Sequence, residues 1–417
     1  MTINPLRMLA ASIALLVAQS AGAFELHGYF RDSEGFNGRG GSQACFQLPG
    51  SYFKARLGNE CDRYLEMNLS ETGKFNAIDW RIEFMPASYL ASVDIGAPNN
   101  LFIQQMWLGM KFNDLNGITV WAGRRYWKRH DVHSLDWFYW NPAQGNAGVG
   151  VEDVDIRFGK LAVTAFRIDA TTALATASNF TQGTYLVPEL RVYDMPVNPS
   201  GTLEAGVDLA IATDQAKALG PGRASVSPLV TVQHNQAKLW GGSNTLAFQF
   251  GLGAFSRVAG DGPGQLLAGG TTDHQEWRFI EHLVIHPVEQ LSGALVLVFQ
   301  DQTAPTGGGA RIFTAEVRPA YHFTDWFKLQ ADVLYQVLWT KNAAAGAGTP
   351  MLFKATLAPT IALGREYYSR PELRLFATYS AWNDAAATAA AAHPMASGAF
   401  GSALSGFTFG ASVEIWF

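Results

Sequence analysis

The sequence predicts an all-β fold, a transmembrane antiparallel β-barrel, on three observations. The chain opens with an export signal. No later apolar run is long enough to cross a membrane as a helix, and several short segments alternate apolar and polar residues with period two. Composition narrows the field. Of 417 residues, 48% are hydrophobic and only 16% charged, with 42 Gly, 27 Phe, 13 Tyr, 12 Trp and two Cys. These values exclude a disordered or collagen-like chain, a zinc ribbon and a small disulfide scaffold. A net charge of −5 without a basic run excludes nucleic acid as the partner, because neutralising phosphates needs clustered Lys and Arg. Mean hydropathy is +0.03, which suits a chain whose apolar residues are interleaved with polar ones.

Residues 1–23 read as a signal peptide. They carry Arg7, an apolar run from Met8 to Ala18, and then Gln19-Ser-Ala-Gly-Ala23, with small residues where a signal peptidase cuts. The other reading, a transmembrane anchor, needs about 20 apolar residues and the run is shorter. The mature chain is expected to begin at Phe24, with residues 24–417 forming one barrel domain.

The strands follow in order. Leu26 to Arg31 places His27, Tyr29 and Arg31 on one face, opposite Leu26, Gly28 and Phe30. Arg63 to Leu69 places Tyr64, Glu66 and Asn68 opposite Leu65, Met67 and Leu69. Leu291 to Phe299 is the most apolar stretch, about half the length of a spanning helix. Tyr368 to Leu375 groups Tyr368, Arg370, Glu372 and Arg374 against Leu373 and Leu375. The Ala-rich run Ala385 to Ala392 is broken by Thr388 and bounded by Asp384 and His393-Pro394, so it reads as a loop insertion. Phe407 to Phe417 puts Phe407, Phe409, Ala411, Val413, Ile415 and Phe417 on one face and Thr408, Gly410, Ser412, Glu414 and Trp416 on the other. Each strand thus has an apolar face and a polar face that also carries an aromatic ring.

A secreted sandwich or β-helix gives no reason for rings to recur on its wet face. In a barrel the apolar face meets lipid and the polar face lines the lumen. Closure also satisfies every backbone N–H and C=O, which an open sheet edge in hydrocarbon cannot do. About 394 mature residues, at about 9–11 residues per tilted strand plus connections, give about 16 to 18 strands. Barrels of that size leave an aqueous channel. By parity Tyr29, Tyr64, Tyr368 and Trp416 face inward, from strands that closure makes neighbours. They form a stripe on which the C–H faces of pyranose rings can stack, with Arg31, Glu66, Arg370, Glu372, Arg374 and Glu414 offering hydrogen bonds to hydroxyls. Girdle aromatics at the membrane interfaces, the plainer reading, point outward instead.

Longer motifs carry a resemblance. Leu26-His-Gly-Tyr-Phe-Arg31, Arg56-Leu-Gly-Asn-Glu-Cys61 and the segment Trp121-Ala-Gly-Arg-Arg-Tyr-Trp-Lys-Arg-His-Asp-Val-His133 continuing through Asp136 to Trp140 are the strongest. Asn198-Pro-Ser-Gly-Thr-Leu-Glu204 and the ending Glu414-Ile-Trp-Phe417 add to them. Together they resemble the maltoporin family of sugar-specific porins over essentially the whole mature chain. The resemblance implies an 18-stranded barrel that forms a homotrimer in outer-membrane lipid, a third loop folded inward as a constriction, and no cofactor. It implies an aromatic slide for oligosaccharides at Tyr29, Tyr64, Tyr368, where the family usually has Trp, and Trp416. Beside the slide it implies an ionic track of Arg31, Arg56, Glu66, Arg129, Asp131 and Asp136.

The sequence departs from that pattern at the constriction. The family's Tyr is Phe138 here, a nearby acid is Asn141, and an Arg expected between Phe102 and Leu108 aligns with Ile103. A mid-chain slide ring falls at a gap that Trp240 would fill, and a ring lent by the neighbouring subunit's second loop aligns with Tyr89. Fewer hydrogen-bonding groups at the narrowest point imply weaker discrimination for maltodextrin and leave room for another sugar.

Cys45 and Cys61 enclose a short loop, and an even count in an exported chain favours one disulfide, as the family has in its first external loop. His130, Asp131 and His133 suggest a metal, but no further ligand lies at zinc-site spacing. Ser134 beside His133 and Asp136 lacks a nucleophile elbow, and Gly260 to Gly270 lacks the strand, Lys and helix of a phosphate loop. The expectation is a sugar-selective channel and no enzyme. A general diffusion porin, a porin for another sugar and a membrane-embedded barrel lipase are the alternatives.

Overall fold

The computed structural model describes residues 23–91, 100–143, 145–171, 182–218, 222–255, 271–343, 347–389 and 399–417. The expected signal peptide, up to residue 22, and the stretch Gly260 to Gly270 lie outside them. The first strands are β1 (Ala23–Asn37), β2 (Asp62–Phe75), β3 (Ile78–Ala91), β4 (Asn100–Phe112) and β5 (Ile118–Arg124). A small inward hairpin follows, β6 (His130–Val132) and β7 (Trp137–Trp140). The wall resumes with β8 (Ala147–Asp155), β9 (Lys160–Thr171), β10 (Gln182–Asn198), β11 (Gly201–Ala212), β12 (Val226–Leu239), β13 (Gly242–Leu252) and β14 (Gln275–Val288). It ends with β15 (Leu291–Thr303), β16 (Gly309–His322), β17 (Phe327–Thr340), β18 (Met351–Ala362), β19 (Glu372–Trp382) and β20 (Ser405–Trp416).

Among the described residues, eighteen strands form one antiparallel sheet in which each pairs with its chain neighbours. The sheet closes because β1 pairs with β2 over Ala23 to Arg31 and with β20 over Tyr29 to Asn37. Gly28 and Phe417 exchange backbone hydrogen bonds at 2.7 and 3.1 Å where the chain ends meet. A Cβ on Gly28 would lie 2.2 Å from the Phe417 ring, so the seam needs glycine there.

Burial is inverted relative to a water-soluble protein. Leu108 and Met110 on β4, Val149 and Val151 on β8, and Phe407 and Phe409 on β20 are exposed, while Thr408, Ser412 and Glu414 of β20 are buried. On β16, Thr314, Glu316 and Arg318 are buried and Val317 is exposed. Such alternation fits apolar residues facing lipid and polar residues facing the lumen. No helix among the described residues is long and apolar enough to cross a membrane.

The lumen is not evenly open. The described residues of the segment 125–146 fold into it, as the resemblance implies, and residues 38–61 fold in as well. The second segment was expected as an external loop. Its Phe46, Leu48, Phe53, Ala55 and Leu57 are each at most 1% exposed, so an external position would leave a large apolar face in water. Four wall groups hold its backbone. Gln336 Nε2 donates to Phe53 O at 3.1 Å, Lys354 Nζ and Thr356 Oγ1 donate to Leu57 O at 3.2 and 3.1 Å, and Thr378 Oγ1 donates to Gly58 O at 3.0 Å. The Ala-rich run, expected as plain loop, forms a short helix over Asp384–Ala389. Asn383 Oδ1 caps it by accepting from Ala386 N at 3.0 Å, and the small Ala386 side chain buries fully against the inward loops.

Cys45 and Cys61 are bridged, which closes the base of the first inward loop. Replacing both with Ser should remove about 3 kcal/mol of loop-closure stabilisation. Trypsin should then cleave the folded barrel faster at Lys54 or Arg56. An unchanged rate with the parent protein shown to be oxidised would contradict this role.

Candidate functional site

The two inward loops pack against the wall from β10 to β19 and leave a cavity along β1 to β4 and β20. Trp140 Nε1 donates to Asp208 at 3.1 Å, Tyr139 OH to Gln233 at 3.1 Å, and Gln249 Nε2 to Tyr139 O at 3.0 Å. Val132, Leu135 and Trp137 are buried in the same core. The hairpin thus turns its apolar side to the wall and leaves Arg129, Asp131, His133, Asp136 and Phe138 on a cavity of about 400 Å³. Arg56 N donates to Ser134 O at 2.8 Å and ties the two loops together.

Along the open side stand four rings in one row. Tyr64 and Tyr29 have ring centroids 6.2 Å apart, Tyr29 and Trp416 6.5 Å, and Trp416 and Tyr368 6.1 Å. Closure explains the middle step, because Tyr29 and Trp416 are cross-strand partners on β1 and β20. A guanidinium sits beside three of the rings: Arg31 is 5.3 Å from the centre of Tyr64, Arg56 5.8 Å from Tyr29, and Arg370 4.8 Å from Trp416. Three of the four rings are thus each accompanied by a guanidinium.

The charges expected in the ionic track, Arg31, Arg56, Glu66, Arg129, Asp131 and Asp136, all line the same cavity, as do Phe138 and Asn141. Most of the cations are held by acids. Arg31 binds Asp62 at 2.8 Å and Asp136 at 3.5 Å, Lys54 binds Asp136 at 3.1 Å, and Arg56 binds Glu60 at 2.6 Å and Glu414 at 3.3 Å. These pairs fix the forks in place along the cavity.

Sequence reasoning missed three residues here. His133 entered only as a metal or triad candidate, yet its ring lies 5.4 Å from Trp416, 6.3 Å from Tyr368 and 6.5 Å from Tyr29. Burial and then Arg56 push the imidazole below its ordinary range despite Glu414. His133 Nε2 lies 3.0 Å from Glu414 Oε1, and Arg56 Nη1 lies 3.1 and 3.0 Å from its Nδ1 and Nε2. His130 turns the other way, to Glu204 at 3.0 Å, so the two histidines do not converge. Tyr126 and Gln104 also line the cavity. Next to Ile103 the register of β3 and β4 slips between Met85–Gln105 and Pro86–Ile103, and the extra residue Gln104 lines the cavity.

Three expected positions differ. Tyr368 lies in the turn before β19, not on the strand, and reaches Trp416 from there. Tyr89 belongs to the same barrel's lining, because on β3 it pairs directly with Tyr64 and shares its lumen-facing parity. Trp240 lies in the turn between β12 and β13, 63% exposed and outside the cavity.

A closed eighteen-stranded barrel with an apolar outer belt, a polar lumen and inward loops defines an outer-membrane porin channel. The chain belongs to the LamB porin family, whose family model matches residues 24–417. Similar solved structures include Salmonella typhi OmpF in complex with daunomycin, at 10% identity, 94% of this chain and 97% of that one covered, and a TM-score of 0.49. Vibrio cholerae OmpT expressed in the outer membrane matches at 10% identity, 96% and 99% coverage and a TM-score of 0.40.

Burial alone would raise the Asp136 carboxyl, but Lys54, then Arg31 and Arg56, outweigh it and hold the group well below the usual carboxylate range. A carboxyl depressed in this way stabilises fully at every pH above its ordinary value near 3.8 and loses that contribution only as pH falls toward the folded value. Asp136→Asn should therefore lower the temperature at which the barrel loses its heat-resistant gel mobility by the same interval at pH 7 and pH 5. A loss that shrinks by pH 5 would contradict the ion-pair account.

Proposed function

We propose that this porin conducts neutral linear oligosaccharides of the maltodextrin type by facilitated diffusion, as a homotrimer of separately conducting barrels. The mature chain begins at Phe24 in this reading. The observation that carries it is the unbroken row Tyr64, Tyr29, Trp416 and Tyr368, with neighbouring ring centres 6.1 to 6.5 Å apart. A hexose unit is of similar length, so a chain of them keeps contact with a ring at every step.

The chemistry follows from the two kinds of group in line. The apolar face of each sugar ring stacks on an aromatic, and its rim of hydroxyls exchanges hydrogen bonds with Arg31, Arg56, Glu66, Arg129, Asp131 and Asp136. Because these bonds replace water one at a time, the sugar crosses the constriction without losing its full hydration. Phe138 offers a face and no hydroxyl, and Asn141 a neutral amide. Tyr89 receives the solute beside Tyr64, and Trp240, in the turn between β12 and β13, is a candidate exit ring. Binding at each step is weak, and a channel requires this so that solute can leave.

In a planar bilayer, maltotriose should close the ion conductance in a saturable way. Trp416→Ala or Tyr64→Ala should weaken the block by on the order of 1 kcal/mol each. Conductance indifferent to maltotriose, sucrose and other oligosaccharides would identify a general diffusion porin instead.

A further inference from the structure

We infer that Tyr126 determines which solutes the constriction holds: its phenol stands across the Arg129 guanidinium from Phe138 and joins Tyr64, Glu66 and Gln104 in an edge that reads neutral hydroxyls. This deepens the sugar-path reading and rests on it.

The guanidinium of Arg129 is sandwiched, with its centre 3.6 Å from the middle of the Tyr126 ring and 4.3 Å from that of Phe138. Both faces are covered, so its N–H groups point edgewise, and among the described residues it forms no ion pair. Of the two flanking rings only Tyr126 carries a hydroxyl. That hydroxyl donates to Glu66 Oε1 at 2.7 Å. Tyr64 donates to the same oxygen at 2.5 Å, and Gln104 Nε2 donates to the Tyr64 hydroxyl at 3.0 Å. Glu66 is thus satisfied on one oxygen by two phenols instead of by a cation.

Tyr126 is also firmly placed. Its backbone N–H donates at 2.8 Å to Gln105 Oε1, and the buried Gln105 donates in turn to Glu83 at 2.8 Å. A ring fixed from strand β4 keeps its hydroxyl at the cavity wall whether or not solute is present, so little ordering is needed on binding. The edge then presents acceptors on both phenols and on Glu66, a donor fork on Arg129, and a free carboxylate on Asp131, which has no partner among the described residues. A neutral polyol uses donors and acceptors alike, because each hydroxyl does both. A solute of fixed charge meets groups of its own sign on the same edge, which disfavours it.

The test is maltotriose block of ion current in planar bilayers for the parent, Tyr126→Phe, Phe138→Tyr and the double variant. Tyr126→Phe should bind about fivefold more weakly, the loss of one hydroxyl contact. Adding Phe138→Tyr to that background should recover most of the loss, since it returns a hydroxyl to the other face of Arg129. Should Tyr126→Phe yield no channels, Gln104→Leu takes its place and should also weaken the block. Parent-like block in Tyr126→Phe, or a double variant no tighter than the single, overturns the inference. A parent channel that no oligosaccharide blocks overturns the sugar-path reading itself.

Discussion

Everything in this molecule depends on the pairing of its first strand with its last. An open sheet would leave backbone N–H and C=O groups unpaired in hydrocarbon, at several kcal/mol for each, so the chain must close to exist in a membrane at all. The closure is narrow: only Tyr29, Phe30 and Arg31 of β1 pair on both sides, with β2 and with β20. That seam is where the ring row runs. The backbone constraint that makes the barrel also brings Tyr29 and Trp416 side by side and gathers Arg31, Arg56 and Glu414 near them.

A second constraint shapes the interior. Eighteen strands enclose more space than side chains can fill, and two loops occupy it unequally. Each loop brings its own apolar residues, Phe46, Leu48 and Phe53 from one, Val132, Leu135 and Trp137 from the other, to a core built inside the lumen. The wall behind them answers with buried polar groups. Ser134 donates to Glu316, Arg318 and Lys354 both bind Asp332, and Lys354 also reaches Leu57 O. The core side is filled, and the cavity lies on the opposite side, against the rings. The asymmetry turns a wide pore into a guided path.

The barrel was legible because period-two alternation is a local property: parity in Leu26 to Arg31 and Phe407 to Phe417 already placed Tyr29 and Trp416 on the wet face. The Arg-Leu-Gly-Asn-Glu-Cys and Arg-His-Asp-Val-His blocks added the charged side of the path. What stayed hidden depended on register or on tertiary docking. Gln104 enters the lumen only because β3 and β4 slip by one residue, and alignment to a family pattern cannot show a bulge. Tyr126 lies in a segment with no strand parity, so nothing marked its ring as facing the cavity. The inward course of residues 38–61 has a signal in Phe46, Leu48, Phe53 and Leu57, apolar residues too many for an exposed loop. Tyr89 was assigned to a neighbour's ring for want of the pairing that sets it opposite Tyr64.

The most direct measurement is an experimental structure of the trimer or single barrel with a linear oligosaccharide bound. The account predicts sugar rings lying on Tyr64, Tyr29 and Trp416 in succession, their hydroxyls within hydrogen-bond distance of Arg31, Arg56 and Arg129. Sugar density away from that row, or aromatic side chains turned toward acyl chains with no common line, would contradict it.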